Sequence, residues 1–375
     1  MTTVHEVAGA GPGTHALVIG VGSYDHLLGG SHTLLDNPYG LGQLGSPSIS
    51  ALSVAEWLLN ELYNPAAPLA SLELLISAPT PAVVATPNGP MTIEPATMTN
   101  IANAASRWFA RADAHAENVA VFYHCGHGLE SADLALLAQD FGAPGGAPIR
   151  PWEFAYNFHR TYRGMAQCKA RGQFYFIDAC RQVSADVLSF DGRDLQVLVA
   201  PKLRGSNLRS APILYASARE SRAFAQTDGV SRFTEALLAA LSSNGTERRG
   251  GIWRVSSEIL GRAVLARIQL GNLPGIPEQL CVVDGESAGP VTLHSLNGNP
   301  QIPVHVRAAT APPTTSLEFR RSGETVSGTT LVGPPPWRHD VPAGTYTIVA
   351  RDGAATIADL GEDWILPPVY ERELT

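Results

Sequence analysis

The sequence predicts an α/β fold: a mainly parallel sheet covered by helices on both faces, followed by a small all-β sandwich. Three observations carry this. Hydrophobic runs of strand length alternate with segments of helical period over residues 14–288. Two of those runs, Asn118-Val-Ala-Val-Phe-Tyr123 and Gln173-Phe-Tyr-Phe-Ile177, are apolar throughout, as strands buried on both faces are. From residue 289 onward, short alternating runs such as Val304-His-Val-Arg, Leu317-Glu-Phe-Arg and Tyr346-Thr-Ile-Val-Ala are broken by proline and glycine, and no helical period survives.

In chain order, residues 1–13 read as a flexible lead. His15–Gly22 is a buried strand ending in glycines. Ile49, Leu52, Val54, Ala55, Leu58 and Leu59 recur at helical spacing and predict a helix over about 48–62, with Ser48 as its cap. Leu72–Ile76 is the next strand, and a proline-rich surface loop runs from Pro79 to Pro90. Ile101, Ala104, Ala105, Trp108 and Phe109 predict a helix from Thr97 to Ala112. Asn118–Cys125 and Leu134–Leu137 are strands, and Pro151 opens a helix toward Gln167. After the strand at 173–177, the segment 184–210 is long, polar and without an evident element, a length that usually serves a function. Ile213–Ala216 is a strand, and helices are expected over 233–241 and 252–269.

The 375 residues are 45% hydrophobic, enough for one large domain and one small one. A formal charge of −8 with scattered Lys and Arg argues against a nucleic-acid binder. No apolar run approaches the roughly 18 residues needed to cross a bilayer, and no signal peptide is visible. The expectation is a cytoplasmic protein without nucleic-acid or membrane partners. Four widely spaced cysteines, Cys125, Cys168, Cys180 and Cys281, do not make a disulfide framework. They are compatible with an intracellular enzyme that uses one reactive thiol.

Both buried runs end abruptly in chemistry. The first delivers His124-Cys-Gly-His-Gly128, the second Asp178-Ala-Cys180 followed by Arg181-Gln182. Parallel strands present reactive groups at their carboxyl ends. Neighbouring strands would place His127 beside Cys180. A thiolate attacks a carbonyl and an imidazole protonates the leaving amine, while backbone N–H groups at tight turns hold the developing oxyanion. Gly128 and Cys180 can offer such N–H groups.

The pair His124–Gly128 and Ile177-Asp-Ala-Cys-Arg-Gln182, with His127 standing 53 residues before Cys180, resembles the caspase-like cysteine peptidases (caspases, paracaspases and metacaspases). Their histidine stands about 50 residues before the nucleophile. The likeness extends from His15–Gly22 through Ile213–Ala218 to Phe233-Thr234, so it covers about residues 14–270. The resemblance implies the caspase-haemoglobinase fold, with Cys180 as nucleophile, His127 as catalytic histidine and the N–H groups of Gly128 and Cys180 as oxyanion hole. It also implies an intersubunit linker at 184–210, open to activating cleavage; Lys202, Arg204 and Arg209 in it read as ordinary loop charges, with self-cleavage after them as the alternative. Asp178, two residues before the nucleophile, matches the enzymes that cut after Arg or Lys. A carboxylate there would pair with a basic P1 side chain. Ser50, Cys125 and Glu220 are the further substrate-binding candidates. Two features depart from the metacaspase pattern: Ser50 stands where an acidic residue is expected, and Arg222 falls near an expected acidic position.

No cofactor is expected. Some metacaspases bind calcium, and Asp186, Asp191 and Asp194 are the carboxylates available for it, though they form no oxygen-ligand loop pattern. A zinc site from His124, Cys125 and His127 has irregular spacing and is not expected. The expected partners are a protein substrate and a regulatory protein docking on the β domain, with the chain itself a monomer. Relatives of this type often serve bacterial defence or cell death. The alternatives are a scaffold on a degenerate caspase fold, a peptidase with a non-basic P1 preference, and a cysteine enzyme of another type such as an acyltransferase.

Overall fold

The computed structural model describes residues 2–7, 9, 11–86, 89–130, 132–144, 151–181, 195–202, 208–218, 229–272, 277–308, 311–326, 330–333 and 335–374. The carboxylates at 186, 191 and 194, Arg204, Glu220 and Arg222 lie outside the described residues.

The elements over the first 296 residues are β1 (Thr3–Glu6), β2 (Thr14–Val21), α1 (Ser46–Asn60), β3 (Leu69–Ser77), the hairpin β4 (Val83–Thr86) and β5 (Gly89–Thr92), α2 (Met98–Ala112) and β6 (Val119–Gly126). After these come β7 (Gly128–Glu130), β8 (Leu134–Leu137), β9 (Ala155–Asn157), α3 (Phe158–Met165), β10 (Gly172–Ala179), β11 (Ala211–Tyr215) and α4 (Arg232–Ala239). A π-helical turn at Ala240–Asn244 extends α4 into β12 (Thr246–Arg249), β13 (Ile252–Ser256), α5 (Leu260–Gly271), β14 (Val282–Glu286) and β15 (Thr292–Leu296). Among the described residues the main sheet runs β1-β3-β2-β6-β10-β11-β14. Its five central strands are parallel, and the edge strands β1 and β14 run antiparallel to their neighbours.

The central strands β2, β6, β10 and β11 are buried along their whole length, which is why they read as continuous apolar runs. Alternate residues feed two cores. Phe122, Tyr175 and Ile177 face α2 and α3 through Ile101, Trp108, Phe158 and Tyr162. Val121, Tyr123, Phe174 and Phe176 face α1, α4 and α5 through Ala51, Val54, Phe233, Leu237 and Leu260. The predicted layer order, helices on both faces of a mainly parallel sheet, is the observed one.

Several element predictions need correction. The 48–62 helix begins earlier, at Ser46, with Pro47 in the first turn; Gly45 and not Ser48 takes the cap position, and no side chain caps it. The helix expected from Pro151 to Gln167 is a 3-10 turn at Pro151–Phe154, then β9, then the short α3. Three-residue β9 pairs with β8, a tertiary contact that overrides the local period. The helix expected over 252–269 is likewise split: Ile252–Ser256 pairs with β12 and β15, and the helix starts at Leu260.

The lead at 1–13 is not simply flexible, because β1 is an edge strand on β3. Its anchor is the fully buried carboxylate of Glu73, which accepts hydrogen bonds from Thr2 Oγ1 at 2.5 Å and Thr3 Oγ1 at 2.6 Å. The same carboxylate takes Arg107 Nη2 at 2.9 Å and Arg111 Nη1 at 2.6 Å from α2. Burial alone would raise its pKa, but these donors outweigh that and hold it down at about 2.

The segment at 184–210 is ordered at its far end. Gln196 exchanges backbone hydrogen bonds with Ala155 and Asn157. Arg209 is not an ordinary loop charge: its side chain is fully buried, 4.3 Å over the Tyr162 ring, and forks onto Glu286 at 2.9 and 3.0 Å. Its Nη1 also donates to Gln173 Oε1 at 2.8 Å. A peptidase has no access to a side chain held in this way.

The β-rich end consists of β16 (Gln301–Ala308), β17 (Thr315–Arg321), β18 (Glu324–Thr325), β19 (Leu331–Val332), β20 (Trp337–Pro342), β21 (Gly344–Asp352), β22 (Ala355–Ile365) and β23 (Tyr370–Leu374). They form two further sheets, β20-β16-β23 and β18-β17-β21-β22 with β19 on β17. Val304, Val306, Phe319, Trp337, Tyr346, Ile348 and Ile365 make their shared core. The expected boundary at residue 289 falls before β15, which pairs with β13 and belongs with the first unit. Trp253 of β13 is part of the β-rich core, so the two units share a hydrophobic contact.

The Glu73 anchor gives a signed prediction. Glu73→Gln leaves two guanidinium groups without their buried carboxylate and should cost on the order of 3 kcal/mol at pH 7. A carboxylate with a depressed pKa stabilises fully above its ordinary value near 4.5 and loses that contribution as pH falls toward 2. The penalty, read from urea unfolding, should therefore shrink between pH 6 and pH 3. An equal penalty at both values would remove the electrostatic account.

Candidate active site at the ends of the central strands

Strands β6 and β10 pair in parallel without a bulge, and the register runs to Asp178 opposite Cys125 and Ala179 opposite Gly126. The next pair in that register is Cys180 with His127. The strand ends therefore bring the two sequence candidates side by side, at the carboxyl edge of the sheet where the loops are free of the ladder.

His127 is held on three sides. Its backbone N–H donates to Tyr24 Oη at 2.7 Å, and the Tyr24 ring lies 4.8 Å from the imidazole. Its Nε2 stands 2.8 Å from the Gly42 carbonyl oxygen. A carbonyl only accepts, so Nε2 carries the hydrogen and Nδ1 is left with its lone pair. Burial lowers the imidazole pKa, partly opposed by that carbonyl, and the ring is neutral at pH 7. Neither Tyr24 nor Gly42 was singled out in the sequence. Both sit in the glycine-rich loop after β2, and contacts of this separation leave no local signal.

Gly128 packs against the nucleophile candidate. A Cβ there would stand 2.5 Å from the Cys180 carbonyl oxygen and 3.2 Å from Ala179 Cβ, so only glycine fits. The Leu137 N–H bonds the His127 carbonyl, which makes Gly128 and Leu136 the non-hydrogen-bonded pair of the β7–β8 ladder. The Gly128 N–H is thus directed away from β8. Beyond it, Glu130 and Arg181 form a nearly dry, bidentate ion pair, Nε to Oε2 at 2.7 Å and Nη2 to Oε1 at 2.9 Å. The Arg181 guanidinium lies 4.4 Å over the Tyr215 ring of β11. The residue after Cys180 is thereby tied to the strand after His127.

Asp178 faces the other way from the peptide edge, into the α1–α4 side of the sheet. Its carboxylate is buried and accepts from the hydroxyls of Ser231, Thr234 (2.7 Å) and Tyr123 (3.2 Å), with the Cys125 thiol also in hydrogen-bonding range. Burial raises its pKa, and these donors only partly offset that. Ser231 is the N-cap of α4: its Oγ accepts the Thr234 N–H at 2.9 Å, and its own N–H donates to Ser50 Oγ at 3.0 Å. Asp178, Ser50 and Cys125 are thus brought together around a hydroxyl cluster that occupies the space. Burial also pushes the Cys125 thiol well up, and the adjacent carboxylate adds to that. His124 projects to the opposite face, where Nδ1 meets Tyr156 Oη at 2.8 Å and burial lowers its pKa to about 3.

Residues 87–260 match the family model of the caspase domain, peptidase C14. An uncharacterized protein of Sinorhizobium fredii, y4kE, is 29% identical over 254 residues, which span 64% of this chain and 69% of that protein. Caspase-1 from Spodoptera frugiperda superposes with a TM-score of 0.45 at 12% identity, covering 78% of this chain and 94% of that one. The matched residues 87–260 include His127, Cys180 and the strands β6 and β10 that lead to them.

Proposed function

We propose that the chain is a cysteine endopeptidase that uses Cys180 as nucleophile and His127 as its acid–base partner. The observation that supports this most directly is the β6–β10 register, which sets the two residues on adjacent strand ends. In the mechanism, His127 Nδ1 takes the thiol proton as Cys180 Sγ attacks the scissile carbonyl. The tetrahedral oxyanion is stabilised by the N–H groups of Gly128 and Cys180. The same proton then passes from His127 to the departing amine, and water, deprotonated by His127, releases the acyl group. The Gly42 carbonyl on Nε2 sets the tautomer this requires, and Tyr24 holds the His127 backbone beside it. No metal or cofactor enters the scheme.

Asp178 supports a preference for Arg or Lys at P1, with Ser50 and Cys125 in the same pocket. Its carboxylate is shut in by Ser231 and Thr234, so a basic side chain reaches it only by displacing the α4 cap. A guanidinium would replace hydroxyl donors with charge-assisted ones and restore an ordinary ionised carboxylate. A second reading is favoured by the same contacts: Asp178 serves α4 as an additional anionic cap, and P1 is chosen elsewhere. A dedicated protein substrate in bacterial defence or cell death remains part of the proposal.

Cys180→Ala should abolish turnover of fluorogenic peptides while the urea midpoint stays within experimental error of the parent. Persistent turnover in that variant would end the peptidase assignment. With Arg, Lys, Asp and Leu at P1, the parent should prefer Arg and Lys, and Asp178→Asn should cut kcat/KM for Arg by about 10- to 100-fold, the cost of a lost charged hydrogen bond. A loss shared equally by the Leu peptide would favour the capping reading.

The lowered His127 pKa places the acid limb of kcat/KM below the ordinary imidazole value near 6.5. The neutral ring is needed, so activity should hold down to that point and fall beneath it. A limb above 7 would contradict the buried-imidazole account.

Arg181→Met should destabilise by about 3–5 kcal/mol, because Glu130 is left buried and unpaired. The double substitution with Glu130→Leu should regain most of that stability yet keep a depressed kcat at unchanged KM if the ion pair positions the Cys180 loop. Full recovery of kcat would make the pair purely structural.

A further inference from the structure

A cleft of about 980 Å³ lies between the parallel-sheet unit and the β-rich unit, and neither His127 nor Cys180 is among its lining residues. One wall is β12 and β13, with Arg248 and Trp253; the other is the β17–β18 turn with Arg321 and the end of β22 with Trp364. We propose that this cleft binds a nucleotide-type ligand, a planar heterocycle carrying phosphate, independently of the peptidase reading.

Charge is the first argument. The neighbouring arginines of the same two strands are neutralised, Arg320 by Glu318 at 2.6 Å and Arg249 by Glu247 and Glu258. Arg248 and Arg321 have no carboxylate partner among the described residues. Each instead lies over an aromatic ring, Arg248 at 5.8 Å from the Trp253 centroid and Arg321 at 4.8 Å from that of Tyr346. Such stacking fixes a guanidinium while leaving its N–H edge for an anion, the geometry in which arginine forks onto phosphate.

The second argument is shape. Arg321 is carried on a two-residue turn in which Ser322 and Gly323 both have positive φ, 54° and 82°, a tight hairpin that holds the residue's position. A side chain at Gly344 would collide with the Arg321 guanidinium, so the glycine keeps that place open. The third argument is Trp364, which is 64% exposed on the cleft wall. Its indole offers a stacking face for a flat ring, an arrangement worth about 1–3 kcal/mol per base in nucleic-acid binders. Glu362, also on the wall, supplies an acceptor for an amino edge and argues against a simple inorganic anion.

The full-length chain is titrated with ADP in metal-free buffer, reading heat and tryptophan fluorescence. Saturable binding at micromolar to millimolar Kd is expected, with quenching that Trp364→Phe abolishes. Arg248→Ala and Arg321→Ala should each weaken binding by about tenfold, as loss of a charged contact does. Both positions are exposed, and an unchanged urea midpoint excludes unfolding as the cause. Adenosine and ribose 5-phosphate, each lacking one half of the ligand, should bind at least about tenfold more weakly than ADP. No saturable binding up to about 5 mM, weaker than any useful affinity on that scale, would overturn the proposal. So would ribose 5-phosphate matching ADP, indifference to both arginine changes, or tighter binding of an N-acetylated Trp-Asp dipeptide amide.

Discussion

The interaction on which the site depends is the uninterrupted parallel ladder between β6 and β10. Every residue from Gly172 to Ala179 pairs in step with Val119 to Gly126. A slip of β10 by one residue would turn Asp178 toward the α2–α3 core and move Cys180 out of line with His127, since side chains alternate with period two. Register is held by two dissimilar faces. Phe122, Tyr175 and Ile177 fill one aromatic core, while Phe174, Phe176 and Tyr123 fill the other, and neither set can exchange with its neighbour. The geometry at the strand ends is therefore set by packing along the whole length of the strands. The Glu130–Arg181 pair repeats that constraint just outside the sheet, where the ladder has stopped.

Sequence reading worked where a signal is local. The central strands are apolar on both faces and bounded by abrupt motif residues, so their place and their paired ends were legible, and α2 showed its apolar stripe. It failed where distant contacts decide. β1 is four residues long and exists because Glu73, seventy positions on, gathers Thr2, Thr3, Arg107 and Arg111. Ile252–Ser256 sits just ahead of a genuine helix and shares its apolar spacing, yet partners on both sides draw it into a sheet. Arg209 looked like a loop charge because nothing nearby in sequence announces Glu286 or Tyr162. At the site, His127 and Cys180 carried a motif, whereas Tyr24 and Gly42 reach His127 from a loop about a hundred residues away.

The proposed P1 role would have Asp178 serve structure and recognition with the same atoms. A carboxylate this deeply buried is costly unless donors surround it. Three hydroxyls do so here, and one of them belongs to the residue that starts α4. The cluster is therefore self-sufficient without substrate. Ligand binding at such a position is an exchange: what the incoming group contributes is only its advantage over Ser231, Thr234 and Tyr123, less the cost of moving the helix start. In the proposed pocket a neutral or short P1 residue would offer no such advantage and would leave the cluster closed. A cation would, because it would convert a carboxylate whose pKa is raised by burial into a paired ion.

That exchange would act on an element that also reaches the β-rich unit. α4 runs from Ser231 through the π-helical turn into β12, whose Thr246, Glu247 and Arg248 line the interdomain cleft. Ser243 Oγ donates to the Gln301 carbonyl at the start of β16, and Asn244 Nδ2 donates to the Pro368 carbonyl just before β23. Helix and β-rich unit are thus hydrogen-bonded at the far end from Asp178. The π turn adds a residue without breaking the helix, a form of strain commonly found where an element must adjust. A shift of α4 at Ser231 has to be absorbed at that turn or passed to β12. The physical question at the cleft is therefore whether β12 has one position or two, since an occupant could influence Asp178 only by favouring one of two arrangements.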